Sequence, residues 1–178
     1  MAEVKRFLDT AMQQAQQEPS AYLASKMLIN IADGYNETGQ AEDAKAKLLE
    51  ARSLAHSVDE RYISRERLDG AEHKLDLLIS IALKLAWLGA SSESMQTLAE
   101  AQTLSGKTAK DPSYYLPKLA EALALNGNLK EARAVGGQVR DGDEQLSALA
   151  GALRGFTVGR DPSIGKSLTT ETRRRSCT

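Results

Sequence analysis

The amino-acid sequence predicts an all-α protein, an α-solenoid of about three to four helix–turn–helix repeats wound as a right-handed superhelix. Three observations predict it. Apolar residues recur at helical spacing in each long segment, and no segment alternates with the period of a strand. The apolar inventory is mainly Leu and Ala, which have high helix propensity, and aromatic residues are only 4% of the chain. One pattern of bulky, alanine and glycine positions also returns along the sequence, which is how stacked repeats announce themselves.

The elements follow in order. Residues 2–17 carry Val4, Phe7, Leu8 and Met12 at helical spacing. Pro19 ends that segment because proline lacks an amide donor and clashes with the preceding turn. Ser20 can cap a second helix running to about Thr38, and Gly39 stops it, since glycine accepts the left-handed conformation common after a helix end. A third helix covers about Ala41 to His56. The charged stretch 59–74 still holds Tyr62, Ile63, Leu68 and Ala71, and leads, with a break at Gly70, into LDLLISIALKLAWLG at 75–89. Among residues 75–88 the polar side chains are Asp76, Ser80 and Lys84, spaced four apart, so they form one narrow stripe. A helix apolar almost all round must be covered on most sides, which places it at the centre of the molecule. Gly89 ends it, and Ser91 or Ser92 can cap the next helix, to about Ser105. A loop at 106–112 precedes a helix from about Tyr115 to Asn126, with Pro117 tolerated in its first turn. After Gly127, Asn128 and Glu131 have capping-box spacing for a helix to about Val139. Asp141-Gly142 is a turn, and Asp143 caps a last helix to about Arg154.

The repeat is explicit. Leu28, Ile29, Ile31, Ala32 and Gly39 recur at an offset of 50 as Leu78, Ile79, Ile81, Ala82 and Gly89, and Leu48, Ala51 and Leu54 recur as Leu98, Ala101 and Leu104. A third copy, Leu116, Leu119, Ala120, Leu123 and Gly127, follows 38 residues later, and a half-copy, LSALAGAL at 146–153, follows 30 after that. Bulky residues pack one helix on the next, the alanine permits close approach, and the glycine closes the first helix so that the second folds back. The first copy reads Leu28, Ile31-Ala32, Tyr35, Gly39, Ala44, Leu48, Ala51. That spacing resembles the tetratricopeptide repeat over about residues 24–155. The chain departs from that family in its unequal offsets, in Ser94 where an alanine is expected, and in Gly136 where a large residue is expected. The extra length before the second copy is expected to extend a helix.

Size and charge bound the function. The 178 residues carry a formal net charge of −1, so no whole-molecule field draws the chain to nucleic acid or a membrane surface. The charge is uneven, because Arg160, Lys166, Arg173, Arg174 and Arg175 outnumber Asp161 and Glu171 near the end of the sequence. The expectation is one repeat domain over residues 1–157 and a flexible basic tail over 158–178. Cys177 is the sole cysteine, which excludes an internal disulfide and is compatible with a reducing, cytoplasmic location. The first residues lack the continuous apolar run of a signal peptide, and no stretch is long enough to insert in a bilayer.

No catalytic set, metal site or cofactor is expected. The segment GRDPSIGKS at 159–167 ends like a phosphate loop, but that loop needs glycine five residues before Gly165, where Arg160 stands. Asp161 and Pro162 would add a repelling charge and remove an amide. A nucleotide-binding enzyme is therefore the least favoured reading. His56 and His73 are the sole histidines and lack ligands at helical spacing.

The resemblance instead implies a partner-binding groove lined by the first helix of each hairpin. On the first copy that stripe is Lys26, Asn30, Asp33 and Glu37. The offsets carry it to Asp76, Ser80, Leu83 and Trp87, then to Tyr114, Lys118, Glu121 and Leu125. Leu83 and Trp87 would supply apolar burial to a bound peptide or helix of another protein, with Lys26, Asp33, Lys118 and Glu121 setting register. The competing reading places Leu83 and Trp87 in the core. A second reading of the whole chain is self-assembly into a homo-oligomer, with Val4, Phe7, Leu8 and Met12 packing on another copy.

Overall fold

A computed structural model describes residues 2–58, 70–108, 115–138 and 150. All seven elements among the described residues are α-helices: α1 (Ala2–Gln17), α2 (Ala21–Glu37), α3 (Ala41–Ala55), α4 (Gly70–Trp87), α5 (Ser91–Thr108), α6 (Leu116–Leu125) and α7 (Leu129–Gly136). The chain divides into two compact units, Met1–Lys110 and Asp111–Thr178. The expected boundary at 157/158 lies outside the described residues, as does the half-copy at 146–153 apart from Ala150.

Gly39, Gly89 and Gly127 explain the turns between α2 and α3, α4 and α5, and α6 and α7. Gly39, Gly89 and Gly127 have φ of +81°, +74° and +81°, the left-handed region that a side chain disfavours. Each closes a helix with the same pair of hydrogen bonds. The Gly39 N–H donates to Asn36 O at 3.0 Å and the Gln40 N–H reaches back to Tyr35 O at 2.9 Å. Gly89 with Ala90, and Gly127 with Asn128, repeat this pairing at the same relative positions. In each case the residue after the glycine then starts the next helix by accepting the N–H four residues on, from Ala44, Ser94 and Ala132.

In the first unit, α1 packs on α2, α2 pairs with α3, α4 pairs with α5, and α4 lies against both α3 and α2. Burial of Leu75, Leu77, Leu78, Ile79, Ile81 and Leu85, none more than 2% exposed, confirms that α4 is covered on most sides. Each such side chain contributes about 1.5–3 kcal/mol of burial. Two buried hydroxyls tie the hairpins internally. Ser25 Oγ donates to Ala51 O at 3.1 Å, from α2 to α3, and Ser94 Oγ donates to Ala82 O at 2.8 Å, from α5 to α4. Ser94, where the resemblance led to an expected alanine, thus bonds the facing backbone. In the second unit α6 pairs with α7, burying Leu116, Leu119, Leu123, Ala132 and Val135.

At the other edge of the first unit, Leu8 of α1 sits over Gly34. A methyl group at Gly34 would stand 2.7 Å from Leu8 Cδ2, so the glycine is a notch that admits the leucine. Leu8 is therefore part of this chain's own core rather than free for another copy, while Phe7 is 73% exposed. Met12 is half-buried, and the side chain of Val4 lies outside the described residues.

Several expected boundaries shift. Ser20 caps α2 as expected, its Oγ accepting the Leu23 N–H at 3.3 Å. Neither Ser91 nor Ser92 caps α5. The Ala90 carbonyl opens that helix by accepting the Ser94 N–H, so Ser91 is already helical. α5 continues through Thr108, taking the first part of the expected loop. Asn128 and Glu131 do not form a capping box; the Asn128 side-chain amide donates to the Glu131 carboxylate instead. α7 ends at Gly136 rather than near Val139. The glycine there offers no side chain to hold a further turn.

Candidate functional site

Two contacts fix how the first helices of the two hairpins in the first unit lie. The rings of Tyr22 on α2 and His73 on α4 meet with centroids 4.1 Å apart and planes at 44°. Further along, Lys84 Nζ on α4 donates to both carboxylate oxygens of Asp33 on α2, at 2.6 and 2.7 Å. The contacts are eleven residues apart on each helix, which is about three turns. Hence α2 and α4 run parallel and in register. Asn30 stands within one residue of the level of Ser80, and Glu37 within one residue of the level of Trp87.

The expected stripe divides in two under this geometry. Lys26, Asn30 and Glu37 are exposed on α2, and Asp76, Ser80, Leu83 and Trp87 are half-buried on α4. These seven share the helix pair. Asp33 is engaged within the chain by Lys84, a partner that sequence reasoning assigned to the α4 stripe with Asp76 and Ser80. Lys26 Nζ lies 5.1 Å from the centroid of the Tyr22 ring and donates to its hydroxyl at 3.2 Å. Leu83 and Trp87 belong neither to the sealed interior nor to the fully open surface. Lys118, Glu121 and Leu125 are half-buried on α6 in the second unit, and Tyr114 lies outside the described residues.

The second helices of the hairpins carry a ladder that sequence reasoning missed. Lys45 on α3 bonds Glu93 on α5 at 2.6 Å. Arg52 spans to Glu100 through its guanidinium and donates to Gln96 Oε1 at 3.2 Å, and His56 Nε2 lies 3.5 Å from Glu100. The hydrogen bond from Lys45 holds the Glu93 carboxyl below its ordinary pKa, and the same bond raises that of Lys45. The signal was present in the sequence as opposite charges at a nearly constant separation, close to the repeat offset.

The remaining features are chemically modest. Ala15, Ala24, Leu28 and Leu54 floor a cleft of about 280 Å³ where α1, α2 and α3 meet, with Glu18 and Glu50 on its walls. No group of three His, Cys, Asp or Glu that could hold a metal ion occurs among the described residues. No helix among them is long and apolar enough to cross a membrane. His73 is fully buried under Tyr22, and GRDPSIGKS and Cys177 lie outside the described residues. No protein-family model, no curated protein and no solved structure matches this chain.

Proposed function

We infer that the chain is a tetratricopeptide-like helical-repeat protein whose activity is binding, and that a peptide or helical segment of another protein docks along the exposed faces of α2 and α4. The observation that carries this reading is the register of those helices. It brings exposed Asn30 to within one residue of the level of half-buried Ser80, and exposed Glu37 to within one residue of half-buried Trp87. A large aromatic ring beside amide and hydroxyl groups suits an interface anchor, because the ring brings area and its neighbours supply hydrogen bonds. The recurrence of the hairpin turn supports the repeat assignment. Lys118 and Glu121 would present a similar strip on α6.

Within this reading Asp33 does not meet the partner, because its carboxylate already holds Lys84. Leu83 and Trp87 provide the apolar burial, and Asn30 and Ser80 satisfy the polar atoms of the bound segment. Trp87 is the sole tryptophan, so its emission reports on the strip directly. Peptides selected from a random displayed library against the protein should shift Trp87 fluorescence on titration. They should lose at least about tenfold in affinity when Ser80→Arg blocks the strip. Selected peptides that leave the emission unchanged and bind Ser80→Arg as well as wild type would overturn the assignment.

A further inference from the structure

The turns after α2, α4 and α6 share one hydrogen-bond pattern but not the residue before the glycine, which is Thr38, Leu88 and Asn126 in turn. Thr38 and Asn126 hold the same backbone conformation, φ −89° and ψ 4° against φ −80° and ψ 6°. Their side chains also act alike. Thr38 Oγ1 donates to Gly34 O at 3.1 Å, and Asn126 Nδ2 donates to Ala122 O at 2.8 Å, so each caps the carbonyl four residues back. The two caps differ in reactivity. Asn126-Gly127 is the one Asn-Gly pair in the sequence. Glycine has no side chain to hinder attack of its amide nitrogen on the preceding carboxamide, so this dipeptide cyclises more readily than other asparagine pairs.

We propose that Asn126 is a self-modification site held shut by the α6–α7 turn: its carboxamide is lost, giving aspartate or isoaspartate, only while the turn is open, and the product cannot rebuild the cap. The Gly127 nitrogen gives its proton to a solvent base and bonds to Asn126 Cγ. The Cγ–Nδ2 bond breaks and ammonia leaves. Water then adds to either carbonyl of the succinimide ring and opens it, with no change of oxidation state. The closed turn opposes this chemistry at three points. The Gly127 N–H donates to Ala124 O at 2.9 Å, which retains its proton. The leaving amide is held by Ala122 O. A ψ of 6° turns the Gly127 nitrogen toward the nitrogen of Asn126, whereas ring closure needs it on the Cβ side. After conversion, a carboxylate at position 126 has no hydrogen to give Ala122 O, and its charge stands at the negative end of α6. Isoaspartate also lengthens the main chain by one carbon, inside the loop that the Asn128 N–H closes on Leu123 O. Opening of the turn is therefore reversible until ammonia leaves and irreversible afterwards. This site is separate from the strip on α2 and α4, so neither assignment rests on the other.

Incubation of the full chain in mildly alkaline buffer, followed by peptide mapping that separates asparagine, aspartate and isoaspartate, tests the proposal. A synthetic peptide of residues 120–132 sets the unprotected rate. Asn126 in the folded chain should convert at least about tenfold more slowly than in the peptide, and unfolding in urea should bring the two rates together. Asn126→Asp should speed amide hydrogen exchange at Gly127 and Asn128 at least about threefold, the loss of one hydrogen bond. Asn126→Thr, which restores the cap seen at Thr38, should keep that exchange within about twofold of wild type. A folded chain that converts as fast as the peptide, an Asn126→Asp variant as protected as wild type, or an Asn126→Thr variant as open as Asn126→Asp overturns it.

Discussion

The contact of Leu8 with Gly34 makes a prediction whose sign depends on the background. Gly34 lies inside α2, where alanine is favoured over glycine by about 0.5–1 kcal/mol through reduced chain entropy and better helix propensity. Against that, an alanine methyl would stand 2.7 Å from Leu8 Cδ2, with Leu8 Cγ at 3.8 Å and Cδ1 at 3.9 Å. Overpacking of this kind costs about 1–3 kcal/mol. The low end applies, because the obstructing atom is a terminal methyl that can turn aside. The two effects leave Gly34→Ala destabilising by about 0–1 kcal/mol in the wild type. In a Leu8→Ala background the obstruction is gone, and Gly34→Ala should stabilise by about 0.5–1 kcal/mol. Leu8→Ala alone should cost about 2–3 kcal/mol, since Leu8 is 5% exposed. A double-mutant cycle by urea unfolding, at one low protein concentration so that association does not contribute, should give a coupling of about 1–2 kcal/mol. Gly34→Ala acting with the same sign and size in both backgrounds would refute the notch.

Other substitutions follow from the same geometry. Gly39→Ala, Gly89→Ala and Gly127→Ala should each cost about 1–2 kcal/mol, because φ is positive while nothing stands within 4 Å of the added methyl. Gly137→Ala, at φ −72°, should change the melting midpoint by less than about 0.5 kcal/mol equivalent. Arg52→Ala should cost about 0.5–1 kcal/mol at low salt and less at high salt, the mark of a partly exposed ion pair. The link between Glu93 and Lys45 is favourable above the ordinary pKa of Glu93 and is lost as pH falls through the lowered value. It is lost again as pH rises through the raised pKa of Lys45, so Glu93→Gln should flatten acid unfolding curves without altering the fold. Ser94→Ala should cost about 0.5–1 kcal/mol in urea unfolding, the worth of its bond to Ala82 O.

Much of the helical layout was legible because it is written in local chemistry. Ser20 signals a helix start, and Gly39, Gly89 and Gly127 signal ends, through properties of single residues. What stayed hidden depends on two helices at once. Gly34 has no local meaning in the middle of α2 and acquires one only when Leu8 arrives from α1. Lys84 read as one of three stripe residues because its spacing from Ser80 and Asp76 is helical. Its pairing with Asp33 needs the register of α2 against α4, which no single helix contains. The cap of α5 was missed for a different reason: the shared turn places Ala90 where a serine was expected to act, and the backbone carbonyl is sufficient there. Leu83 and Trp87 stood between core and groove for want of the same register.

The register also settles what α4 can do with its residual surface. It lies against α2, α3 and α5, and the sides facing those helices hold the buried leucines and isoleucines and His73. Lys84 is drawn out of the polar stripe to Asp33, which leaves Asp76, Ser80, Leu83 and Trp87 as half-buried positions of α4 outside that ion pair. An exposed α4 surface composed of lysine, aspartate and serine would have been a solvated edge. By spending its lysine on the neighbouring hairpin, the chain instead leaves a strip whose largest members are apolar, bordered by the amide of Asn30 and the carboxylate of Glu37. The ion pair that sets the hairpin register therefore also sets the composition of the strip. Asp33→Ala should loosen the first and change the second together: Lys84 would swing back beside Ser80, shift Trp87 emission, and weaken any peptide that relies on apolar contact there. An emission spectrum and peptide affinity indifferent to Asp33→Ala would separate the two roles and remove the argument for their linkage.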